Sequence, residues 1–332
     1  MKFGSVPLSD ARGGILAHSV SLNGKRLAKG TTLGADHLDD LRAAGWSEVV
    51  VARLDTGDVE ENAAAAQLAK AIVPDPKGQG LRVARPATGR VNLYAEGPGV
   101  VQVDVDAVHA INAAHPMITL ATVPAYFRVD ARSMVATIKV ISYGVPSAAL
   151  DAACAATHGA LRVVSPQLRT ASLIETQIGK TPPGKGRAAM AGRLERMGVT
   201  LAPRIVVPHE TAAIAEALSQ FTSDLAMILT ASATSDPDDV APSALRQAGG
   251  IVERFGMPVD PGNLLFIGAL GECPVIGLPG CARSPALNGA DWVLERIICG
   301  LPVQGEDIAA MGVGGLLKEI PTRPKPRREA EG

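Results

Sequence analysis

The stretch "MILTASATSDPDDVAPSALRQAGG" (227–250) decides how the second half of the chain is interpreted. Its apolar beginning is typical of a buried strand, and that strand ends near Thr230. A loop of small and hydroxyl-bearing residues follows, and a helical pattern then begins at about 240. The order of strand, polar loop and helix predicts one unit of an α/β fold, with the loop at the carboxyl end of its strand.

The same alternation of strands and helices extends to both sides of this stretch. We predict strands over 161–165, 172–176, 203–207, 225–230, 264–269 and 274–278, and helices over 186–197, 209–220, 240–249 and 286–299. This pattern predicts an α/β fold with a mostly parallel sheet and helices on both of its faces. Earlier in the chain β-branched runs are denser, and we expect a hairpin around Glu96–Gly99.

Changes in the pattern of strand-like and helix-like segments divide the chain into four predicted parts. These are an N-terminal α/β segment over 1–75, a small strand-rich α+β insert over 76–157, the α/β domain over 158–300 and a C-terminal tail over 301–332. The tail ends in "PTRPKPRREAEG", which is rich in proline and basic residues. We expect such a segment to be flexible.

Composition excludes several broad classes of function. The chain has 332 residues, a net charge of −1 and only 3% aromatic residues. Binding to nucleic acid or to a membrane surface relies on an excess of Lys and Arg, which this chain lacks. Its four cysteines form no CxxC pair, and no stretch has the length and apolarity of a signal peptide or a membrane span. We therefore expect a cytoplasmic protein with reduced thiols.

The loop after Thr230 permits two interpretations. Asp236 as N-cap, Pro237 at the first helical position and Asp239 as the acid of the first turn would simply start a helix. A polar ligand is the second interpretation, because hydroxyl groups and unpaired N–H groups at this place suit an anion. The hydroxyl candidates are Thr230, Ser232, Thr234 and Ser235, and Asp236 is a further ligand-binding candidate in this loop.

Two further loops precede helices and carry basic residues. The candidates in "LPGCARS" (278–284) are Pro279, Gly280, Cys281, Arg283 and Ser284, and those in "TPPGKGRAAM" (181–190) are Lys185 and Arg187. The arginine fork suits phosphate, and Gly280 permits close approach of a ligand to the backbone. An ordinary turn with solvated basic residues, and a buried thiol at Cys281, are the alternatives. The spacing of a Walker motif is absent.

The order of these motifs resembles the molybdopterin-binding domain shared by molybdopterin adenylyltransferases and molybdopterin molybdotransferases. Thr230 matches the first residue of that family's TGG-x-S-x-G-x-x-D loop, and Asp239 matches its functional aspartate. "LPGCARS" is similar to the family's LPGNPxS and departs from it at Cys281 and Ala282. Segments such as "GMPVDPGNLL" and "PGCARSPALNG" resemble a proteobacterial branch, in which some members are fused to a domain similar to molybdenum cofactor cytidylyltransferase.

The resemblance implies a protein of molybdenum cofactor biosynthesis with molybdopterin as ligand or substrate. It implies a catalytic role for Asp239, which could also bind Mg²⁺. It also makes a nucleotide a candidate second ligand. The family's TGDEL-type segment is replaced by "IETQIGKTPPGKG", which lacks the matching acids. A non-catalytic carrier that serves a separate nucleotidyltransferase or molybdoenzyme is therefore the second hypothesis. An α/β enzyme for another phosphorylated metabolite is the third. We expect a homodimer.

Overall fold

The computed structural model of the protein describes residues 1–22, 24–260 and 262–317. These residues form two compact units. The first comprises Met1–Gly97 and Val101–Val163, and the second comprises Pro98–Val100 and the chain from Val164 onward. The basic end of the predicted tail lies outside the described residues, and the division into four parts remains a prediction. None of the described helices has the length and apolar composition needed to cross a membrane.

The first unit is built from short strands and four helices among its described residues. In chain order its elements are β1 Lys2–Pro7, β2 Ile15–Leu16, β3 Val20–Leu22, β4 Lys25–Leu27, α1 Ala35–Ala43, β5 Glu48–Arg53, β6 Asp58–Glu60, α2 Glu61–Ile72, β7 Leu81–Val83, β8 Arg90–Ala95, β9 Gly99–Val103, α3 Val105–Ala114, β10 Ile118–Thr122, β11 Arg128–Val129, β12 Met134–Val140, β13 Gly144–Pro146, α4 Ser147–Ala155 and β14 Leu161–Val164.

Small antiparallel sheets organise this unit. One orders β1-β5-β2 and another β10-β12-β8-β7. The hairpin expected around Glu96–Gly99 is wrong, because β8 and β9 belong to different sheets. A core of fully buried residues such as Leu68, Leu93 and Ile138 joins α2 to the second of these sheets.

The second unit carries the alternation that the sequence predicts. Its elements are β15 Thr170–Gln177, α5 Lys185–Arg196, β16 Thr200–Leu201, β17 Ile205–Pro208, α6 Thr211–Gln220, β18 Leu225–Leu229, α7 Val240–Gln247, β19 Ile251–Met257, β20 Asn263–Leu270, β21 Cys273–Gly277, α8 Gly289–Ile298 and α9 Gly305–Ala310. Each predicted strand and helix of this half has a counterpart: the strand predicted over 161–165 is β14, and the others are among these elements. The sequence missed β16, β19 and α9, and α9 falls in the segment predicted as a tail.

These strands form one mixed sheet in the order β16-β15-β18-β21-β20-β19, with β17 also paired to β15. Strands β16, β15, β17, β18 and β21 pair in parallel, as predicted, through four pairings. Strands β21, β20 and β19 pair antiparallel through the other two pairings among the described residues, so the sheet is mixed. Two residues, Gly271 and Glu272, separate β20 from β21, and so short a connection joins antiparallel strands only.

Helices pack against both faces of this sheet, because alternate side chains of each strand point to opposite faces. Ala226 and Ile228 of β18 share a buried cluster with Ile214 of α6 and Leu245 of α7. Leu229 points the other way because side chains alternate along a strand. There it meets α5, since a Cβ atom on Gly186 would lie 2.8 Å from Leu229 Cδ2.

Candidate functional site

The four parallel strands β15, β17, β18 and β21 end at the same edge of the sheet. Gln177 pairs with Pro208, Glu175 with Leu229, and Ile228 with Gly277. We call these strand ends and the residues that directly follow them the carboxyl edge. In open α/β sheets ligands bind in the crevice outside this edge. It brings together three predicted loops, which begin after Gln177, after Leu229 and after Gly277.

Two threonines fold the loop that follows β18. Thr230 is 5% exposed and Thr234 is 7% exposed. The Thr230 hydroxyl donates to the carbonyl of Ser232 at 2.6 Å and lies 3.4 Å from the Thr234 hydroxyl. Ser232 and Ser235 are exposed. The buried hydroxyls therefore shape the loop, and the exposed serines are the hydroxyl candidates that a ligand can reach.

Asp239, and not Asp236, is the N-cap of α7. One Asp239 carboxylate oxygen accepts from Val240 N at 2.6 Å, and the other accepts from Ser235 N at 2.8 Å. These two backbone hydrogen bonds and the charge of His209 lower the pKa of Asp239. The expected N-cap, Asp236, instead accepts from Asp238 N in the turn before the helix, because the chain completes one more turn before helical geometry begins.

The loop leaves part of its backbone free for an anion. The N–H group of Ala231 donates to the Thr176 hydroxyl at 2.7 Å, and that of Ser235 is held by Asp239. Within the described residues, the N–H groups of Ser232, Ala233 and Thr234 donate no hydrogen bond. Three successive unbonded N–H groups close to a helix N-terminus are a recurring way to bind phosphate.

Arg283 joins two of the loops. It lies in the short 3₁₀ turn Gly280–Arg283 after β21, and its guanidinium donates to the carbonyl of Thr230. A Cβ atom on Gly186 would meet Arg283 Cγ at 3.3 Å as well as Leu229. Glycine at 186 therefore lets the first turn of α5 approach the end of β18 and the turn that follows β21. The other predicted residues of this segment differ in exposure: Pro279 is buried, Cys281 is half-buried, and Gly280 and Ser284 are exposed.

A buried arginine orders the segment that follows this turn. Arg193 of α5 is 4% exposed and forms an ion pair with Asp291, which is 3% exposed. Its guanidinium also donates to the carbonyls of Ala282 at 3.0 Å, Ser284 at 2.8 Å and Ala286 at 3.1 Å. Arg193 thus satisfies three alternate carbonyls of a strand-to-helix connection and fixes its course.

The predicted basic residues of the first loop are placed unequally. Lys185 is exposed at the first position of α5. One terminal guanidinium nitrogen of Arg187 donates a hydrogen bond to the carbonyl of Ala202 at 2.5 Å. The other terminal nitrogen is buried without a partner among the described residues. Arg187 is therefore partly committed to the protein itself. Its role in phosphate binding remains a prediction.

Carboxylates around the carboxyl edge are already engaged. Glu175, which is 1% exposed, receives both Nε and Nη2 of Arg204, at 2.7 and 3.1 Å. No group of three or more His, Cys, Asp or Glu side chains among the described residues could hold a metal ion. Mg²⁺ usually binds one or two carboxylates together with substrate phosphates. Asp239 fits such a site only if the ligand supplies the remaining oxygens, so this role stays a prediction.

Two residues of the carboxyl edge were not expected from the sequence. Thr176, which is 1% exposed, and His209, which is half-buried, lie with the Thr176 hydroxyl 3.0 Å from His209 Nδ1. Both lie at the end of a parallel strand, as Thr230 does. The rule that selected Thr230 would therefore have found them. No such rule finds Arg193, which occupies the interior of a helix.

Comparison with known proteins leaves the family open. Residues 5–53 match a family model described as a domain of unknown function (DUF8806), and no curated protein matches the chain. Among solved structures, a molybdenum cofactor biosynthesis protein from Pyrococcus furiosus is 14% identical, with a TM-score of 0.25. The match covers 91% of this chain and 66% of that one, just under two thirds of its length. A likeness at this TM-score carries no argument about fold or function.

Proposed function

We propose that the carboxyl edge of the second unit binds molybdopterin, or its nucleotide form, as a step of molybdenum cofactor biosynthesis. The observation that carries this proposal is the run of unbonded N–H groups at 232–234, beside the N-terminus of α7 and the Arg283 guanidinium. This arrangement suits a phosphate group. The choice of a pterin rests on the motifs around Thr230, Asp239 and Leu278–Gly280.

A specific observation favours a carrier over a transferase. Both carboxylate oxygens of Asp239 accept backbone hydrogen bonds, and Arg204 neutralises Glu175. The lowered pKa makes Asp239 a weak proton acceptor, and Arg204 contacts both carboxylate oxygens of Glu175, so neither acid is suited to act as a general base. The protein would hold the cofactor for a separate nucleotidyltransferase or molybdoenzyme. Mg²⁺, a nucleotide and a homodimeric assembly remain parts of the proposal to be tested.

The experiment is an equilibrium titration of the full chain with molybdopterin, with and without Mg²⁺ and either ATP or CTP. Asp239→Ala is compared with Asp238→Ala, because the Asp238 side chain is 89% exposed and, among the described residues, hydrogen-bonds only to Arg246. We expect saturable binding without pyrophosphate release, weakened by Asp239→Ala alone. Release of pyrophosphate that depends on Asp239 would establish the transferase in place of the carrier.

A second measurement separates the pterin from other phosphorylated ligands. Ligands that bind through their phosphate group alone should have similar affinities, whatever group carries the phosphate. Molybdopterin should bind at least tenfold more tightly than a phosphorylated sugar, if the crevice also accepts the pterin ring, because about 1.4 kcal/mol of additional contact gives a factor of ten. Equal affinities for both would favour the alternative, an α/β enzyme for another phosphorylated metabolite.

A further inference from the structure

His209 follows β17 directly and is held at the carboxyl edge by its backbone and by its side chain. Its N–H group donates to the carbonyl of Gln177 at 3.0 Å, which continues the pairing of β17 with β15. Its Nδ1 atom lies 3.0 Å from the Thr176 hydroxyl. The same hydroxyl accepts from Ala231 N at 2.7 Å, so only two hydrogen bonds separate the imidazole ring from the loop after β18.

This geometry determines which ring nitrogen carries the proton in neutral His209. A threonine hydroxyl has one proton to donate and two lone pairs that accept. The Ala231 N–H group can only donate, and it occupies one lone pair of Thr176. A second lone pair remains, but among the described residues the hydroxyl proton has no acceptor other than Nδ1 of His209, and Thr176 is 1% exposed. We therefore infer that the hydroxyl donates to Nδ1. An imidazole that accepts at Nδ1 carries its own proton on Nε2.

The Nε2 atom is open to a ligand. Among the described residues it makes no hydrogen bond, and it is not one of the buried side-chain atoms that lack a partner. It is therefore accessible to solvent. The charge of His209 also contributes to the lowered pKa of Asp239, which indicates that the ring lies near the loop that Asp239 caps.

We propose that His209 is a ligand-binding residue whose Nε2–H group donates to an anionic oxygen of a phosphate monoester, and that Thr176 is its positioning residue. The ligand oxygen would lie between this ring and the free N–H groups at 232–234. Thr176 would keep the ring in the donor form through the hydrogen bond at Nδ1. The proposal rests on the proposed function for the identity of the ligand, but its phosphate chemistry can be tested alone.

The first test observes His209 in the unaltered protein. The full chain, labelled with ¹⁵N-histidine, is titrated with inorganic phosphate at a pH where the ring is neutral. His209 should show the Nε2–H tautomer and should shift on binding. Five further histidines serve as internal controls and should not move: His18, His37, His109, His115 and His158. The Nδ1–H tautomer, or a saturating phosphate titration that leaves His209 unshifted, would overturn the proposal.

Paired variants separate the two nitrogen positions. His209→Gln places an amide donor near the Nε2 position, whereas His209→Asn places its amide near Nδ1 and leaves the Nε2 position empty. Loss of a hydrogen bond to a charged group should weaken phosphate binding by roughly tenfold or more in His209→Asn. His209→Gln should retain most of the affinity. Equal affinity in both variants would contradict a role for the Nε2–H group.

Thr176 is tested by a variant with matched shape and by a conservative rescue. Thr176→Val removes the hydroxyl, so the two neutral tautomers of His209 should both appear and phosphate binding should weaken by several-fold. Thr176→Ser should restore the single tautomer. If Thr176→Val weakens binding while the tautomer signal stays unchanged, Thr176 acts only on the loop and its positioning role is wrong.

The molybdopterin titration keeps this inference separate from the proposed function. Binding of molybdopterin with unchanged affinity in His209→Asn would leave the proposed function intact and refute the inference. A His209 shift with phosphate in a protein that does not bind molybdopterin would support the inference and refute the pterin assignment.

Discussion

Replacing Arg193 with methionine tests whether the buried ion pair organises the carboxyl edge. Arg193 and Asp291 are 4% and 3% exposed, so the variant leaves a buried carboxylate without its partner. Loss of one member of a buried pair costs about 3–5 kcal/mol. With a urea dependence of about 2–3 kcal/mol/M for a unit of this size, the midpoint should fall by about 1–2.5 M.

The assay is urea unfolding of the full chain, followed by tryptophan fluorescence and circular dichroism. Only the transition of the second unit should move, because the contacts of Arg193 with Asp291, Ala282 and Ser284 all lie within that unit. Arg246→Met is the matched control. That arginine pairs with Asp238 at 3.3 Å, with the two side chains 42% and 89% exposed, and such pairs contribute about 0–1 kcal/mol.

Two results would refute this reasoning. A loss below about 1 kcal/mol in Arg193→Met would mean that the pair contributes no more than an exposed one. An equal loss in Arg246→Met would mean that the substitution itself, and not the burial of the pair, causes the effect. If the reasoning holds, the variant should also bind molybdopterin more weakly, because the carbonyls of Ala282 and Ser284 lose their donor.

Three further predictions concern the same unit. Gly277→Ala should destabilise it by about 1–3 kcal/mol in urea unfolding, since the new Cβ atom would lie 1.9 Å from the Phe266 ring; an unchanged midpoint would show that the ring moves aside. The pKa of Asp239 is lowered by its backbone hydrogen bonds, so its contribution to stability is complete above its unfolded pKa and is lost as the pH falls through the folded value. Thermal scans should therefore show Asp239→Ala less stable by about 1 kcal/mol at neutral pH, with a difference that shrinks in acid; a constant difference would contradict this. Desolvation raises the pKa of Cys273 to about 11 and that of Cys299 to about 12, so both thiols should react slowly with a thiol reagent at about pH 8 until urea unfolds the protein, and rapid reaction in the folded state would contradict these raised pKa values.

The elements of the second unit could be predicted because its strands are buried on both faces. A run such as Leu225–Leu229 is continuously apolar and stands out between polar loops. Strand β19 (Ile251–Met257) escaped detection because it lies at the end of the sheet order and carries Glu253 and Arg254. The direction of the strands was the other feature that the sequence did not predict correctly for the whole sheet. The two-residue turn between β20 and β21 forces antiparallel pairing, and turn length is harder to infer than strand identity.

The candidate site could be predicted where a residue follows a strand, and not where it acts through space. Thr230 and Arg283 belong to loops that the sequence marks by small and polar residues. Arg193 and Asp291 are 98 residues apart, and nothing local to either predicts their pairing. The start of α7 was predicted correctly at 240, but its N-cap was assigned three residues too early, because both Asp236 and Asp239 are good capping residues and only the structure decides between them.

Amide hydrogen exchange, with and without molybdopterin, shows which segment of the second unit binds the ligand. If the ligand binds at the carboxyl edge, the exchange of the N–H groups at 232–234 should slow, because these groups have no acceptor within the described residues until a ligand supplies one. Protection should extend to 278–284 and should be absent from 35–43 in the first unit, a helix far along the chain from these loops. Saturation with molybdopterin that leaves 232–234 unprotected, or that protects a different segment, would contradict the account.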